Sequence, residues 1–301
     1  MRTTKVCCAV PIVVAWVGIS LAGDRNALAE GPSLAVGPQY DTTHVYVAPE
    51  DFDRFVESLI AIFGGTKSQA AVINITPTPS ETEWQAVFTP VGTFSVFAFK
   101  TPIPYPFGSE RTGYLVSDFD TAIDSAKSNH ADIVVAPFQD PIGRDAIIAW
   151  PGGVLMQLYW HTTAPHYAKL QTVPENRVYV SPDRADAFIG DFTAFANAKV
   201  VSDDQRAPGI EIGRPNDVYR RVAIDSLFGK VAVLVTDGHL PFPYGRETTG
   251  YNVDDLSDAL TKAKAAGANV VVQPHGGSDR RAAVVQFPGG YIAEIHSAKD
   301  K

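Results

Sequence analysis

The sequence Pro104-Tyr-Pro-Phe-Gly-Ser-Glu-Arg-Thr-Gly-Tyr114 returns in the second half of the chain as Pro241-Phe-Pro-Tyr-Gly-Arg-Glu-Thr-Thr-Gly-Tyr251. Most positions are identical, and the two aromatic residues have exchanged Tyr and Phe. Each copy is followed by an apolar strand, an amphipathic helix, further strands and a Pro-Gly-Gly turn, at residues 151–153 and 288–290. An internal repeat decides the architecture before any single element does. The chain is therefore one structural unit written twice.

Length and composition agree with two globular units. The chain has 301 residues, of which 45% are hydrophobic and 19% charged, which is typical of soluble domains. We predict two domains, residues 41–161 and 175–298, joined by a linker at 162–174, and each half is long enough to bury its own core. The net charge of −8 disfavours nucleic acid and anionic membrane surfaces as partners. The sequence leaves the oligomeric state open.

The N-terminal segment has the organisation of a signal peptide. Residues 1–29 combine a short basic start, an apolar stretch and an Ala-Leu-Ala cleavage motif that ends at Ala29. A weaker cleavage motif precedes it, and an uncleaved membrane anchor is the alternative. Both cysteines, Cys7 and Cys8, lie in this segment, so the mature chain has no thiol chemistry. We predict a secreted or periplasmic protein that has no membrane contact once the signal is cleaved.

The hydrophobic pattern predicts four βαβββ modules, two in each half. Strands alternate apolar and polar residues, and helices repeat apolar residues every three to four positions. The predicted helix starts are Pro49, Asp118 as an N-cap, Pro182 after Ser181, and either Asn252 or Asp254 as the last N-cap. The predicted fold class is therefore α+β.

Short motifs at matching positions resemble those of the vicinal oxygen chelate superfamily, which includes glyoxalase I, bleomycin-resistance proteins and extradiol dioxygenases. Residues 116–120 (Val-Ser-Asp-Phe-Asp) and 253–257 (Val-Asp-Asp-Leu-Ser) resemble its strand-to-helix turn. Residues 150–157 and 287–294 resemble its final strand, which follows a Pro-Gly-type turn. The resemblance implies that each pair of modules forms one curved mixed sheet around a cup, so that this glyoxalase-like chain has two cups.

The resemblance also implies where metal ligands would lie, on the first, fifth and last strands of each cup. These positions hold His44, Arg111 and Gln157 in the first cup and Arg177, Thr248 and Glu294 in the second. Arginine keeps its proton and cannot bind a metal, so neither cup has the two histidines and one carboxylate common in such sites. We therefore expect no metal or other cofactor, and an Arg177–Glu294 ion pair. A divalent metal at His44 or Glu294 is the alternative.

Other residues indicate either ligand binding or an ordinary structural role. Aromatic side chains are predicted on or near the two cups: Tyr46, Tyr159, Trp160 and Phe107 for the first, and Tyr179, Tyr291 and Tyr244 for the second. Glu110 and Glu247 recur in both copies, and we expect them to accept backbone N–H bonds. Further candidates were an anion contact at Arg144 or Arg281 and a metal role for Asp237 or His239.

Two functions from different classes follow. The first is a secreted protein that binds a small molecule bearing an oxyanion or carbonyl oxygen, without an intact metal triad. The candidate ligand-binding residues are His44, Tyr46, Arg111, Gln157, Tyr159, Arg177, Tyr179, Thr248 and Glu294. The alternative is a metal-dependent lyase, isomerase or extradiol-type dioxygenase, in which the metal would act as Lewis acid. Fold alone does not separate the two.

Overall fold

The computed structural model describes residues 33–277 and 279–298. The predicted signal peptide, residues 1–29, lies outside them, so its cleavage remains a prediction. Within the described ranges, no helix is long and apolar enough to cross a membrane.

The strands form two mixed sheets, one from each half of the sequence. The first sheet is built from β1 (Thr42–Tyr46), β2 (Thr66–Lys67), β3 (Ala71–Ile73), β4 (Thr82–Thr89), β5 (Gly92–Phe99), β6 (Arg111–Leu115), β7 (Asp132–Gln139), β8 (Gly143–Trp150) and β9 (Val154–His161). Its order is β2-β4-β5-β1-β6-β9-β8-β7, with β3 also paired to β4.

The second sheet repeats the same plan. It contains β10 (Glu175–Val180), β11 (Lys199–Pro208), β12 (Val218–Ser226), β13 (Gly229–Val235), β14 (Thr248–Asn252), β15 (Asn269–Gly276), β16 (Arg281–Gln286) and β17 (Ile292–Ser297). Its order is β11-β12-β13-β10-β14-β17-β16-β15. The predicted α+β fold class, with modules paired into two mixed sheets, is confirmed. We missed β11, because nearly all of its side chains are exposed and an exposed edge strand has no apolar alternation.

Four α-helices accompany the sheets: α1 (Phe52–Phe63), α2 (Phe119–Ser128), α3 (Pro182–Ala196) and α4 (Leu256–Ala265). The predicted N-cap of α2 is confirmed, since the Asp118 carboxylate accepts a hydrogen bond from the backbone N–H of Thr121 at 2.8 Å. The prediction for α4 was wrong by one residue. Its N-cap is Asp255, which accepts from the backbone N–H of Asp258 at 3.0 Å.

Strand alternation separates the two faces of each sheet. On β1, Thr42, His44 and Tyr46 face a cavity enclosed by the first sheet, whereas Val45 packs into the core on the opposite face. This follows from the two-residue period of a strand. We call the concave faces of the first and second sheets the first cup and the second cup.

The two largest hydrophobic cores are shared between the halves. One combines residues of the second module, including Phe119 and Trp150, with residues of the third, including Phe188. The other joins Phe55 of the first module to Tyr251 of the fourth. The expectation that each half buries its own core holds only for smaller apolar clusters inside the cups. The halves therefore stabilise one another through the outer faces of their sheets.

Candidate functional site

The first cup contains a cavity of about 170 Å³. Its walls carry aromatic and aliphatic side chains from β3, β4, β5 and the loops before β6 and β8, namely Ile73, Ile75, Trp84, Phe97, Phe107 and Ile142. Phe97 stacks on Tyr46 with ring centroids 5.3 Å apart. Concave, largely apolar walls with a few polar groups are the usual environment of a small-molecule site.

Three polar side chains are grouped on β1, β8 and β9 of this cavity: His44, Asp145 and Gln157. All three are buried, and His44 Nδ1 and Gln157 Oε1 have no hydrogen-bond partner among the described residues. Burial and the nearby Arg111 charge lower the pKa of His44 to about 3, so its imidazole is neutral. Burial raises the pKa of Asp145 to about 8, with a further contribution from Asp140. Near neutral pH the group is therefore uncharged.

Asp145 is the functional candidate that the sequence analysis missed. It lies on β8, between Arg144 and Ala146, one residue before the apolar run from Ala146 that predicts this strand. The register pairs it with Tyr159 on β9, whose side chain also faces the cavity. That pairing was the available signal, because directly opposed residues of neighbouring strands share a face.

Arg111 is buried on the cup side of β6 but does not line the cavity. It pairs directly with His44 across β1 and β6. Its guanidinium donates to the Tyr46 hydroxyl at 2.9 Å and to the Pro106 carbonyl at 3.2 Å. It also lies over the rings of Tyr46 and Phe107, at 5.7 and 5.5 Å. Arg111 therefore contacts side chains of the first cup, and its two terminal guanidinium nitrogens are already hydrogen-bonded within the protein.

The Tyr159 side chain is tied to the segment that precedes β1. Its hydroxyl donates to the backbone carbonyl of Tyr40, and its ring lies 6.4 Å from that of His44. Among the other aromatic candidates, Trp160 packs against the core that the second and third modules share. Trp160 was therefore wrongly assigned to the cup, because it points to the opposite face of β9 from Tyr159.

The second cup has the same strands but almost no free space. The cavity there measures about 10 Å³. Arg177 on β10, at 2% exposure, forms ion pairs of 2.9 to 3.0 Å with Glu175, Glu211 and Glu294. The predicted Arg177–Glu294 pair is thus confirmed. It is one contact of a larger network.

Two further arginines complete this network. Arg221 binds Glu175 at 2.8 Å and Glu211 at 3.1 Å, and Arg280 binds Glu175 and Glu294. Burial alone would raise the pKa of Glu294, but Arg177, a hydrogen bond from His296 and Arg280 together lower it well below its usual range. Three guanidinium groups thus balance three carboxylates. Tyr179 and Thr248 border this cluster, and Tyr291, expected at the cup, instead packs in the shared core.

Register explains why homologous positions behave so differently. Across the same pairs of strands, Trp84 lies opposite Phe97 in the first sheet, whereas Arg221 lies opposite Leu234 in the second. The same position therefore carries a cavity-lining side chain, Trp84, in the first cup and an ion-pairing side chain, Arg221, in the second. Thr42 and Glu175 likewise occupy the matching first positions of β1 and β10.

The donor sets do not fit the divalent metal sites that the resemblance implies. In the first cup His44 offers one nitrogen, Gln157 a weak amide oxygen and Asp145 a carboxyl group, and Arg111, in the place of a second histidine, cannot bind a metal. Gly113, next along β6, has no side chain, and a Cβ there would lie 2.6 Å from His44 Nε2. In the second cup the Glu294 oxygens are bound by Arg177 and Arg280. Among the described residues, no group of three His, Cys, Asp or Glu side chains converges on a metal position.

The repeated glutamates meet in a cleft of about 540 Å³ that Arg246 also lines. Glu247 accepts a 3.4 Å hydrogen bond from the backbone N–H of Thr112, in line with the expected role. Glu110 Oε1 has no partner among the described residues, so this oxygen does not accept the expected backbone bond. Burial raises the pKa of Glu110 well above its usual range, and the charge of Glu247 adds to the effect.

The other candidates lie away from both cavities. Arg144 binds Asp120 at 2.9 Å and lies over the Phe119 ring, and Asp237 pairs with Arg214 at 2.9 Å. Neither Arg144 nor Asp237 lines either cup. Arg281 lies opposite Ser297 on the neighbouring strand.

Comparison with solved structures identifies several proteins of similar architecture. A variant of 4-hydroxymandelate synthase from Streptomyces coelicolor superposes with a TM-score of 0.58, at 12% sequence identity, over 89% of this chain and 93% of that one. An Mn(II)-bound glyoxalase from Novosphingobium aromaticivorans gives 0.53 at 15% identity, over 89% and 85% of the two chains. The 2,3-dioxygenase LapB from Pseudomonas sp. KL28 gives 0.52 at 12% identity, over 89% and 94%.

Sequence comparison matches this chain to no protein-family model and to no curated protein. The structural likenesses cover nearly the whole of both partners, so the two-sheet arrangement is common to them. At these identities they establish the fold and leave the chemistry of the cups to the residues described above. The expected resemblance is confirmed at the level of the fold: the chain shares the two-sheet arrangement of these synthase, glyoxalase and dioxygenase structures.

Proposed function

We propose that the first cup binds a small, uncharged aromatic molecule bearing a carbonyl or hydroxyl oxygen, and that the second cup is a structural ion-pair core. The observation that carries this proposal is the contrast in free space, about 170 Å³ in the first cup against about 10 Å³ in the second. The two cups share one strand plan, so the difference arises from the side chains and the loop that fill the second cup.

The cavity volume limits the ligand to about one ring. An apolar cavity of about 150 Å³ accommodates benzene, whereas sites for drug-sized ligands measure roughly 300 to 1,000 Å³. Trp84 and Phe97 supply flat apolar surfaces on the cavity wall. A single aromatic ring with a short polar substituent matches this space.

The polar side chains favour a neutral oxygen over an oxyanion. Protonated Asp145 is available as a hydrogen-bond donor to a carbonyl, and His44 Nδ1 and Gln157 Oε1 have unused capacity. A buried polar atom without a partner costs about 1 to 3 kcal/mol, so a ligand that satisfies one gains that contribution. Arg111 does not line the cavity, and its terminal guanidinium nitrogens donate to Tyr46 and Pro106, so a ligand in the cavity does not contact its charge. The carbonyl-bearing class expected from sequence is therefore favoured, and the oxyanion class is not.

Location and class of activity belong to the same proposal. The N-terminal sequence supports secretion or a periplasmic location. Binding rather than metal-dependent catalysis is supported by the donor set, since one imidazole, one amide and one carboxyl group lack the second imidazole common in such sites, and a guanidinium stands in its place. The competing hypothesis is that the protein is a metal-dependent enzyme of the same superfamily.

Isothermal titration calorimetry with acetophenone, phenol and benzoate tests the proposal. We expect acetophenone and phenol to bind with 1:1 stoichiometry near pH 7. Benzoate, which must bury its charge, should bind at least about tenfold more weakly, a difference of about 1.4 kcal/mol. Ala86 lines the cavity, so Ala86→Phe should abolish binding by filling it.

The matched control is Val284→Phe, which adds bulk beside the second cup. It should leave the affinity of a folded variant unchanged. Equal affinity for benzoate and acetophenone, or unchanged affinity in folded Ala86→Phe, would contradict the proposed site.

A further inference from the structure

A second, much smaller polar pocket lies between the two halves of the chain. It measures about 20 Å³, and its polar lining comes from Asp41, Thr43 and Thr112 of the first half and from Asn176 and Thr249 of the second. A buried space needs roughly 10 to 15 Å³ to hold one water molecule. The pocket therefore has room for one water molecule or one ion of similar size.

The acceptor atoms of this pocket are deeply buried and unpaired. Asp41 is 7% exposed and Asn176 is 4% exposed. Both carboxylate oxygens of Asp41 and Oδ1 of Asn176 lack a hydrogen-bond partner among the described residues. The Asn176 amide nitrogen donates to the hydroxyl of Tyr114, which lines the same pocket, at 3.4 Å, so the unpaired atom of this side chain is its carbonyl oxygen. Such atoms are costly in a folded protein unless something satisfies them.

The surrounding hydroxyl groups add oxygen donors to the same space. Thr43 Oγ1 lies 3.4 Å from Thr249 Oγ1 and 3.0 Å from the Tyr251 hydroxyl. Lys230 also lines the pocket but is exposed, and its ammonium forms no salt bridge with Asp41 among the described ion pairs. Among the described ion pairs no protein cation balances an ionised Asp41, and burial raises the pKa of this carboxyl well above its usual range.

We propose that this pocket binds one monovalent metal cation, sodium or potassium, through Asp41 and Asn176. An all-oxygen donor set suits hard cations. One carboxylate balances one positive charge, whereas a divalent ion would leave an uncompensated charge in a buried site, which is unfavourable. Because the donors come from both halves, the bound ion stabilises the contact between the two sheets.

The carboxylate of this pocket is not repeated in the second half of the chain. The position equivalent to Asp41 in the second half is Pro174, which lines the same pocket. Asp41 therefore supplies the carboxylate of the pocket without a counterpart from the repeat. This separates the cation site from both cups, and the two proposals can fail independently.

Thermal unfolding of the full chain in different chloride salts at equal ionic strength tests the proposal. Sodium or potassium chloride should raise Tm over N-methyl-glucamine chloride by about 2 to 4 °C. Asp41→Asn should remove that difference, whereas Asp53→Asn, a change of an exposed carboxylate on α1, should retain it. Asn176→Ala should need a higher salt concentration for the same rise.

Three results of the unfolding measurements would contradict the proposal. The same Tm in all the salts would overturn the proposal and leave a protonated Asp41 beside a water molecule. A rise with calcium or magnesium alone would overturn the monovalent assignment, and a cation response that persists in Asp41→Asn would overturn the site. If Asp41→Asn fails to fold, an anomalous difference map from crystals in rubidium chloride decides: a peak within bonding distance of Asp41 supports the site, and its absence there refutes it.

Discussion

The two cups have the same strand order, yet one encloses a cavity and the other an ion-pair network. In the first, the cavity-facing positions of β1 and β4 carry His44 and Trp84. In the second, β10 and β12 carry Arg177 and Arg221, which bind shared glutamates. A buried network of this kind is stable only when every charge is compensated. The comparison teaches that duplication preserved the frame of the cup, while a few inward side chains decide whether it has room for a ligand.

The largest expected difference concerns the inward arginines. Arg177→Met leaves three buried glutamates with fewer counter-charges, so it should lower the free energy of unfolding by about 3 to 5 kcal/mol. Arg111→Met removes only hydrogen bonds to the Tyr46 hydroxyl and the Pro106 carbonyl, and should cost about 1 to 3 kcal/mol. Urea denaturation of both variants makes the comparison. A loss in Arg111→Met equal to that in Arg177→Met would break the contrast between the cups.

The pH dependence of stability should have opposite signs in the two cups. Asp145 has its pKa raised to about 8 in the folded state, so its contribution is most favourable below about pH 4 and is lost as the pH rises toward 8. Glu294 has a lowered pKa, so its contribution is present above its ordinary pKa and is lost as the pH falls through its folded value.

Asp145→Asn and Glu294→Gln isolate the two effects. Measured as unfolding free energy against pH, the stability of wild type relative to Asp145→Asn should fall by about 2 to 3 kcal/mol between about pH 4 and pH 6. Relative to Glu294→Gln, it should instead fall on acidification. Parallel curves for the two variants would show that one of the two environments is wrongly described.

Two glycines on the central strands give a subtler comparison. A Cβ on Gly113 would lie 2.6 Å from His44 Nε2, whereas on Gly250 the nearest atom, Arg177 Cδ, would be 3.3 Å away. Gly113→Ala should therefore cost about 1 to 3 kcal/mol by overpacking, and Gly250→Ala about 1 kcal/mol or less. Chemical denaturation of the two alanine variants tests this. The reverse order would mean that His44 does not hold its position against β6.

The smallest expected effect separates binding from metal-dependent catalysis. We expect EDTA to leave the affinity for acetophenone unchanged, because the donor set of the first cup does not suit a divalent metal. Calorimetry before and after chelation, with manganese added back, provides the measurement. A loss of binding that manganese restores, and that His44→Ala abolishes, would favour the enzyme reading instead.

The fold was readable from the sequence because its signals are local and occur twice. The repeated segments at Tyr114 and Tyr251, the Asp118 cap and the alternation of strands each depend on neighbours in the chain. The inward direction of His44 and Arg177 followed from strand parity together with the family resemblance. The edge strand β11 escaped, since neither of its faces is buried.

The side-chain partners inside the cups were harder to predict. The Arg177–Glu294 pair was expected because both positions occupy ligand slots of the resembled family. Glu211, Arg221 and Arg280 come from a loop and from strands whose register the sequence does not reveal. Asp145 was not predicted for a related reason, because its burial depends on how β8 pairs with β9. Contacts between distant strands are set by tertiary packing, which local pattern does not encode.

A crystal structure of the protein with acetophenone tests the central claim most directly. The account predicts ligand density in the first cup, with the ring between Trp84 and Phe97 and the carbonyl oxygen within hydrogen-bond distance of Asp145. It also predicts that Arg177 retains its three glutamate contacts. Ligand density in the second cup, or a metal ion bound by His44 in the first, would contradict it.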